Sequence, residues 1–77
     1  MNIKVKLFAS LRKETGKSEI DLLIDNENEN LVKNVIKQIG LDENEKFIIM
    51  INGMHRDPSA ALKSGDVLSI FPLIAGG

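Results

Sequence analysis

The chain alternates from its second residue. In "NIKVKLFA", Ile3, Val5, Leu7 and Ala9 fall on one side, and Lys4, Lys6 and Phe8 on the other. A period of two is that of a strand with one covered face. "SLRKETGK" breaks the alternation and predicts a short helical turn from Ser10, stopped by Gly16. "SEIDLLID" resumes it, with Ile20, Leu22 and Ile24 together, so the first two strands should pair as a hairpin across a structured connection. The period then changes. In "NENENLVKNVIKQIG", Leu31, Val35, Ile36 and Ile39 form a helical stripe. Asn26 is placed to cap that helix, with Glu29 at the capping-box position. Gly40 is placed to end it. "FIIMI" is a continuous apolar run and predicts a strand buried on both sides. Asn52 and Gly53 mark a tight turn. "MHRDPSAALKSGD" is loop-like, since Pro58 disfavours a central strand, and Lys63 to Asp66 signal another turn. "DVLSIF" is the last strand, with Leu68 and Ile70 on one face and Val67, Ser69 and Phe71 on the other.

The order is β-β-α-β-β, with a minor strand near residues 54–56. One main helix packed on one face of a mixed, four- to five-stranded sheet satisfies it. This α+β layout is the β-grasp, or ubiquitin-like, fold. Residues 1–71 are expected to form the domain and residues 72–77 a flexible tail ending in Gly76 and Gly77. A 77-residue chain makes one domain, burying about 60% of its unfolded surface.

Composition narrows the chemistry. There is no Cys, hence no disulfide, thiolate nucleophile or thiolate metal site. That fits a cytoplasmic location. The N-terminus is too short and too alternating for a signal peptide, and no apolar run reaches membrane length. Ten basic residues against eleven acidic ones, without a basic block and without Tyr or Trp, argue against nucleic acid as a partner. His55 is the only histidine and reads as a surface residue; no metal site is expected. The carboxylates of "DNENE" and "DENE" read as solvated helix flanks, and no phosphate-binding glycine loop is present.

Two features remain. Phe8 and Phe71 both belong to the face the helix leaves open, and would be neighbours if the first and last strands pair. Two adjacent rings suggest a docking surface rather than chance exposure. The alternative is that one or both rings tuck under a loop. Beside them runs the tail "PLIAGG". Its last carboxylate is the one group placed for chemistry. Once adenylated it can be attacked by sulfur or an amine inside another protein's active site. Gly76 and Gly77 let the backbone approach closely there. Pro72 biases Phe71 towards an extended backbone, while Leu73, Ile74 and Ala75 can thread an apolar channel.

"KLFASLRKETG" together with "LKSGDVLSIFPLIAGG" resembles the MoaD/ThiS sulfur-carrier family, and within it the small subunit of molybdopterin synthase. The matching positions are Phe8, Ala9, Leu11, Arg12, Asn52, Gly65, Asp66, Phe71, Pro72, Gly76 and Gly77. The chain departs from the pattern at Lys13, which precedes Glu14, at Leu73 in place of a second proline, and at Ala75 in place of Ser or Thr. The resemblance implies that an E1-like adenylyltransferase uses ATP to activate Gly77 and that a sulfur donor of cysteine desulfurase or rhodanese type converts it to a thiocarboxylate. It implies that the large subunit of molybdopterin synthase then receives the tail, and that sulfur passes to cyclic pyranopterin monophosphate. No cofactor is bound by the chain itself. A heterotetramer of two carriers on a dimeric large subunit is implied as well. By position, Phe8, Arg12 and Phe71 are the expected partner contacts, unless Arg12 pairs with Glu14 instead. Two readings stay open beside this one: a thiamine-pathway sulfur carrier, and a ubiquitin-like modifier joined through Gly77 to lysines.

Overall fold

The computed structural model describes residues 1–25 and 29–73. Its elements are β1 (Asn2–Leu7), α1 (Ser10–Thr15), β2 (Glu19–Leu23), α2 (Val32–Gln38), β3 (Phe47–Ile51), β4 (Met54–Arg56) and β5 (Val67–Pro72). The strands lie in the order β2-β1-β5-β3-β4. β1 and β5 run parallel, and the other neighbours are antiparallel. This mixed sheet with its helix is the β-grasp arrangement, and the minor fourth strand forms at one edge.

Alternation decides the core. Val5 stands beside Leu68 and Leu7 beside Ile70 across β1 and β5, and Ile70 stands beside Ile49 across β5 and β3. All five are buried, against Leu11 of α1 and Val32, Val35 and Ile36 of α2. The aliphatic side chains supply the main driving force, at about 1.5–3 kcal/mol for each one fully removed from water.

β3 differs from the expectation of a strand buried on both sides. Only Ile49 and Ile51 are buried; Ile48 and Met50 are half-buried, because they point to the uncovered face of the sheet.

The main helix is also shorter than expected. It begins at Val32 with Leu31 in the N-cap position, so Glu29 lies upstream of it and makes no capping box; Asn26 lies outside the described residues. Main-chain carbonyls do the capping instead. Val32 N donates to Ala60 O at 3.0 Å and Lys33 N to Pro58 O at 2.9 Å. These bonds satisfy amides that otherwise have no partner within the helix. Asp57 holds that loop in shape by accepting bonds from the Ser59 amide and hydroxyl, which keep its carboxyl below the usual range. The other end follows the sequence. Gly40 has φ +91° and donates to Lys37 O at 3.1 Å, while Leu41 N donates to Ile36 O at 3.0 Å. This is a Schellman motif, closed by the buried Ile36 and Leu41.

At the β3–β4 turn Asn52 and Gly53 both have positive φ, the type I′ signature. Asn52 also ties β3 to β5. Its Nδ2 donates to Asp66 Oδ1 and its Oδ1 accepts from Val67 N, both at 2.9 Å. Asp66 Oδ2 accepts from Lys63 N at 2.8 Å. These two polar residues fix the end of the sheet remote from Pro72.

Candidate functional site: the open face beside the tail

β1 and β5 are adjacent and in register, so the residues following Leu7 and Ile70 are brought together. Phe8 N donates to Ile70 O at 3.2 Å, which keeps Phe8 in the ladder. The Phe8 and Phe71 rings then stack, with centroids 4.3 Å apart and planes 13° apart. Both are half-buried and lie on the open face, so neither is tucked into the core.

The chain must then leave β1 without covering the rings. It does so at Ala9, with φ +53° and ψ −131°. Leu11 N closes the turn on Phe8 O at 3.2 Å. This is a type II′ geometry that normally calls for glycine at that position. The composition and spacing of the sequence give no signal for it. The turn starts α1, which buries Leu11 and carries Arg12 back toward the rings. Arg12 Nε donates to Leu7 O at 3.2 Å, and its guanidinium carbon sits 5.8 Å from the Phe8 ring centroid. The ring quadrupole attracts a cation at this distance. The Glu14 pairing does not form: among the described residues the ion pair found is Lys4–Glu19, at 2.9 Å.

β3 extends the patch. Ile48 stands beside Phe71 and Met50 beside Ser69, so an apolar surface runs from Arg12 across both rings to Ile48 and Met50. The sequence pattern alone did not assign Ile48 and Met50 to this surface. The neighbouring strand of an uninterrupted apolar run decides which of its residues are covered, and that neighbour is β5.

Pro72 belongs to β5 and stands beside Phe47, so the sheet reaches one residue into the segment expected to be tail. A proline is tolerated here. Phe71 and Ser69 turn their main chain toward β3, so the nitrogen of Pro72 faces the side that β1 has already left at Ala9. Leu73 is 53% exposed. Ile74, Ala75, Gly76 and Gly77 lie outside the described residues. Leu73 thus leaves the end of β5 two residues past Phe71.

His55 stands beside Met50 on the edge strand β4 and is exposed. Among the described residues no cluster of His, Cys, Asp or Glu side chains could hold a metal ion, and no helix is long and apolar enough to cross a membrane.

Solved structures share this architecture. A putative molybdopterin converting factor subunit 1 from Pyrococcus furiosus is 27% identical, with a TM-score of 0.75 over 96% of this chain and 99% of that one. The small archaeal modifier protein 1 from Methanosarcina acetivorans is 26% identical, with a TM-score of 0.71 over 99% and 96%. In a complex of subunits 1 and 2 of the molybdopterin-converting factor from Helicobacter pylori, the matched chain is 23% identical, with a TM-score of 0.64 and full coverage of both chains. No curated protein matches the chain. The fold is thus one shared with a molybdopterin converting factor subunit 1 and with a small archaeal modifier protein. A family model matches residues 5–77, from the middle of β1 through the stacked rings to the double glycine, and the chain belongs to the ThiS family.

Proposed function

We propose that this chain is a sulfur carrier that works through the carboxylate of Gly77, and that its acceptor is the molybdopterin pathway. The observation that carries the proposal is the stacked Phe8–Phe71 pair under Arg12, at the end of the strand that leads into "LIAGG". A docking surface there would hold the body of the carrier while the tail enters another protein's active site. Binding energy from the remote body then positions the reacting atom.

The chemistry follows from a carboxylate. Its oxygen attacks the α-phosphorus of ATP in the activating enzyme and pyrophosphate leaves. The terminal sulfur of a donor persulfide attacks the acyl adenylate and AMP leaves. A thiol then takes up the other sulfur of the resulting acyl disulfide and releases the thiocarboxylate. In the large subunit of molybdopterin synthase, that sulfur would pass to cyclic pyranopterin monophosphate. Leu73 begins the threaded segment, and Ile74, Ala75 and Gly76 continue it, while Pro72 stays in the sheet beside Phe47.

Two features favour molybdopterin over thiamine as the destination: the Phe8-Ala9-Ser10-Leu11-Arg12 stretch and the Phe71-Pro72 step, both of which resemble the molybdopterin subfamily. A second reading, a protein modifier joined through Gly77 to lysines, draws on the likeness to the Methanosarcina acetivorans modifier protein. Deletion of Gly77 separates a working tail from an idle one. The expected result is complete loss of sulfur transfer with an unchanged unfolding midpoint. Retained transfer in the deletion variant would overturn the proposal. Isopeptide conjugates lost with Gly77, in a chain that never carries sulfur, would establish the second reading instead.

A further inference from the structure

Among the described residues β2 is the outermost strand on its side of the sheet. Met1 and Ile24 exchange both main-chain bonds: Met1 N donates to Ile24 O at 3.2 Å, and Ile24 N to Met1 O at 2.8 Å. Leu7 N donates to Ser18 O at 2.9 Å. Bonded pairs alternate along an antiparallel ladder. Ile20 and Leu22 therefore turn their main chain toward β1, and Glu19, Asp21 and Leu23 turn theirs outward. Such an edge is a template for a further strand.

The two sides of this edge differ. On the helix side lies a groove of about 280 Å³, lined by Thr15, Lys17, Ile20, Leu22, Gln38 and Ile39. Its aliphatic residues are half-buried and rest on the core. On the open side stand the exposed Glu19, paired with Lys4 at 2.9 Å, and the exposed Asp21. The strand already paired with β2 displays the pattern these residues accept. β1 sets Lys6 beside Glu19 and Lys4 beside Asp21, with Val5 beside Ile20 and Ile3 beside Leu22. A second copy of β2 suits the edge badly. Antiparallel pairing about Asp21 would set that carboxylate against its own copy, and like charges directly opposite are destabilising.

We propose that the outer edge of β2 takes up an extended segment of a partner protein, one in which basic and aliphatic residues alternate. The added strand pairs with the main chain of Glu19, Asp21 and Leu23. Its basic side chains lie over Glu19 and Asp21, and its aliphatic ones enter the groove at Ile20, Leu22 and Ile39. Main-chain bonds give affinity in such strand addition, and alternate side chains give specificity. β1 separates this edge from Phe71, so a partner held here leaves the ring stack and the tail free for another protein.

The test is an amide NMR titration of the full chain with the acetylated, amidated peptide TKIKVKT and with its acidic counterpart TEIEVET. The lysine peptide should bind one to one, shift the amides of Glu19, Asp21 and Leu23, slow their exchange, and leave Phe8 and Phe71 unmoved. Asp21→Lys should weaken the lysine peptide roughly five- to tenfold and strengthen the acidic one by a similar factor. Should that variant fail to fold, Asp21→Asn should still cost the lysine peptide about two- to threefold. No binding at millimolar peptide, shifts confined to Phe8 and Phe71, or equal binding of both peptides would overturn the proposal. The acids of β2 would then serve only to keep the edge from self-pairing.

Discussion

The two faces of the sheet are built from alternate residues of the same strands, and they do different work. Leu7 is 1% exposed while its neighbour Phe8 is half-buried; Ile70 is fully buried while its neighbour Phe71 is not. The covered face is aliphatic except for Phe47 at its margin, and it is closed by α1 and α2. The open face has a charged half, with Lys4, Lys6, Glu19 and Asp21, and an apolar half of Phe8, Phe71, Ile48 and Met50. The apolar half includes Phe71 of β5, the strand that leads into the tail. The covered face secures the fold and the open face is free to bind, so substitutions one residue apart should have different kinds of effect.

The largest contrast is between Ile70 and Phe71. Ile70→Ala leaves a cavity under the helix and should cost about 2–5 kcal/mol of stability. Small domains have only about 5–15 kcal/mol in total, so urea denaturation should show a large loss. Phe71→Ala should cost less stability, since a stacked aromatic pair adds about 0.5–1.5 kcal/mol beyond its burial. It should instead weaken binding of the protein that receives the tail by about 2 kcal/mol or more, measured by calorimetric titration. Unchanged affinity with a large drop in unfolding midpoint would place Phe71 with the core.

Asn52 sharpens the comparison from the other direction, because it is exposed and yet structural. Asn52→Ala removes its bonds to Asp66 and Val67 and puts a Cβ at positive φ without local compensation. A loss of roughly 1–3 kcal/mol of stability is expected, with partner affinity intact. Asn52→Gly should cost less, since glycine accepts the backbone conformation.

Ala9 tests whether the chain reversal beside the rings is strained. Ala9→Gly should leave stability unchanged or raise it by less than about 1 kcal/mol, since glycine relieves the strain but loosens the unfolded chain. Ala9→Val should destabilise clearly, because a β-branched residue resists positive φ. A thermal melt of both variants checks the pair.

The smallest effect belongs to the charged half. The hydrogen bond and charge of Lys4 hold the Glu19 carboxyl below its ordinary 4.5, and Glu19, then Asp21, raise the Lys4 ammonium above 10.5. A lowered acid contributes stability above its unfolded value and loses it as pH falls through the folded one. A raised base contributes below its unfolded value and loses it as pH rises through the folded one. Both groups are exposed, so the effect should be slight and salt-sensitive. Lys4→Met should remove a small part of the stability lost on acidification below pH 4.5, as read from unfolding midpoints across pH.

Much of this was legible in the sequence because alternation is a strong signal. It separated Leu68 and Ile70 from Phe71, and it put Phe8 and Phe71 on one face before their strands were known to be adjacent. Gly16, Gly40 and the Asn52-Gly53 turn were legible because each needs a backbone conformation few residues accept. The start of α2 was not, because carbonyls of Pro58 and Ala60 cap it from a loop distant in sequence. The two faces of β3 were not, because an uninterrupted apolar run carries no period. The ring stack was expected as proximity; its closeness and the position of Arg12 over Phe8 depend on Ala9, where an ordinary residue hides an unusual backbone.

The most direct test of the sulfur-carrier proposal is the intact mass of the protein isolated from its own host, with the C-terminal peptide fragmented to locate any change. Sulfur in place of one carboxylate oxygen at Gly77 is the expected finding. Gly77 recovered only in isopeptide linkage to lysines of other proteins would contradict it.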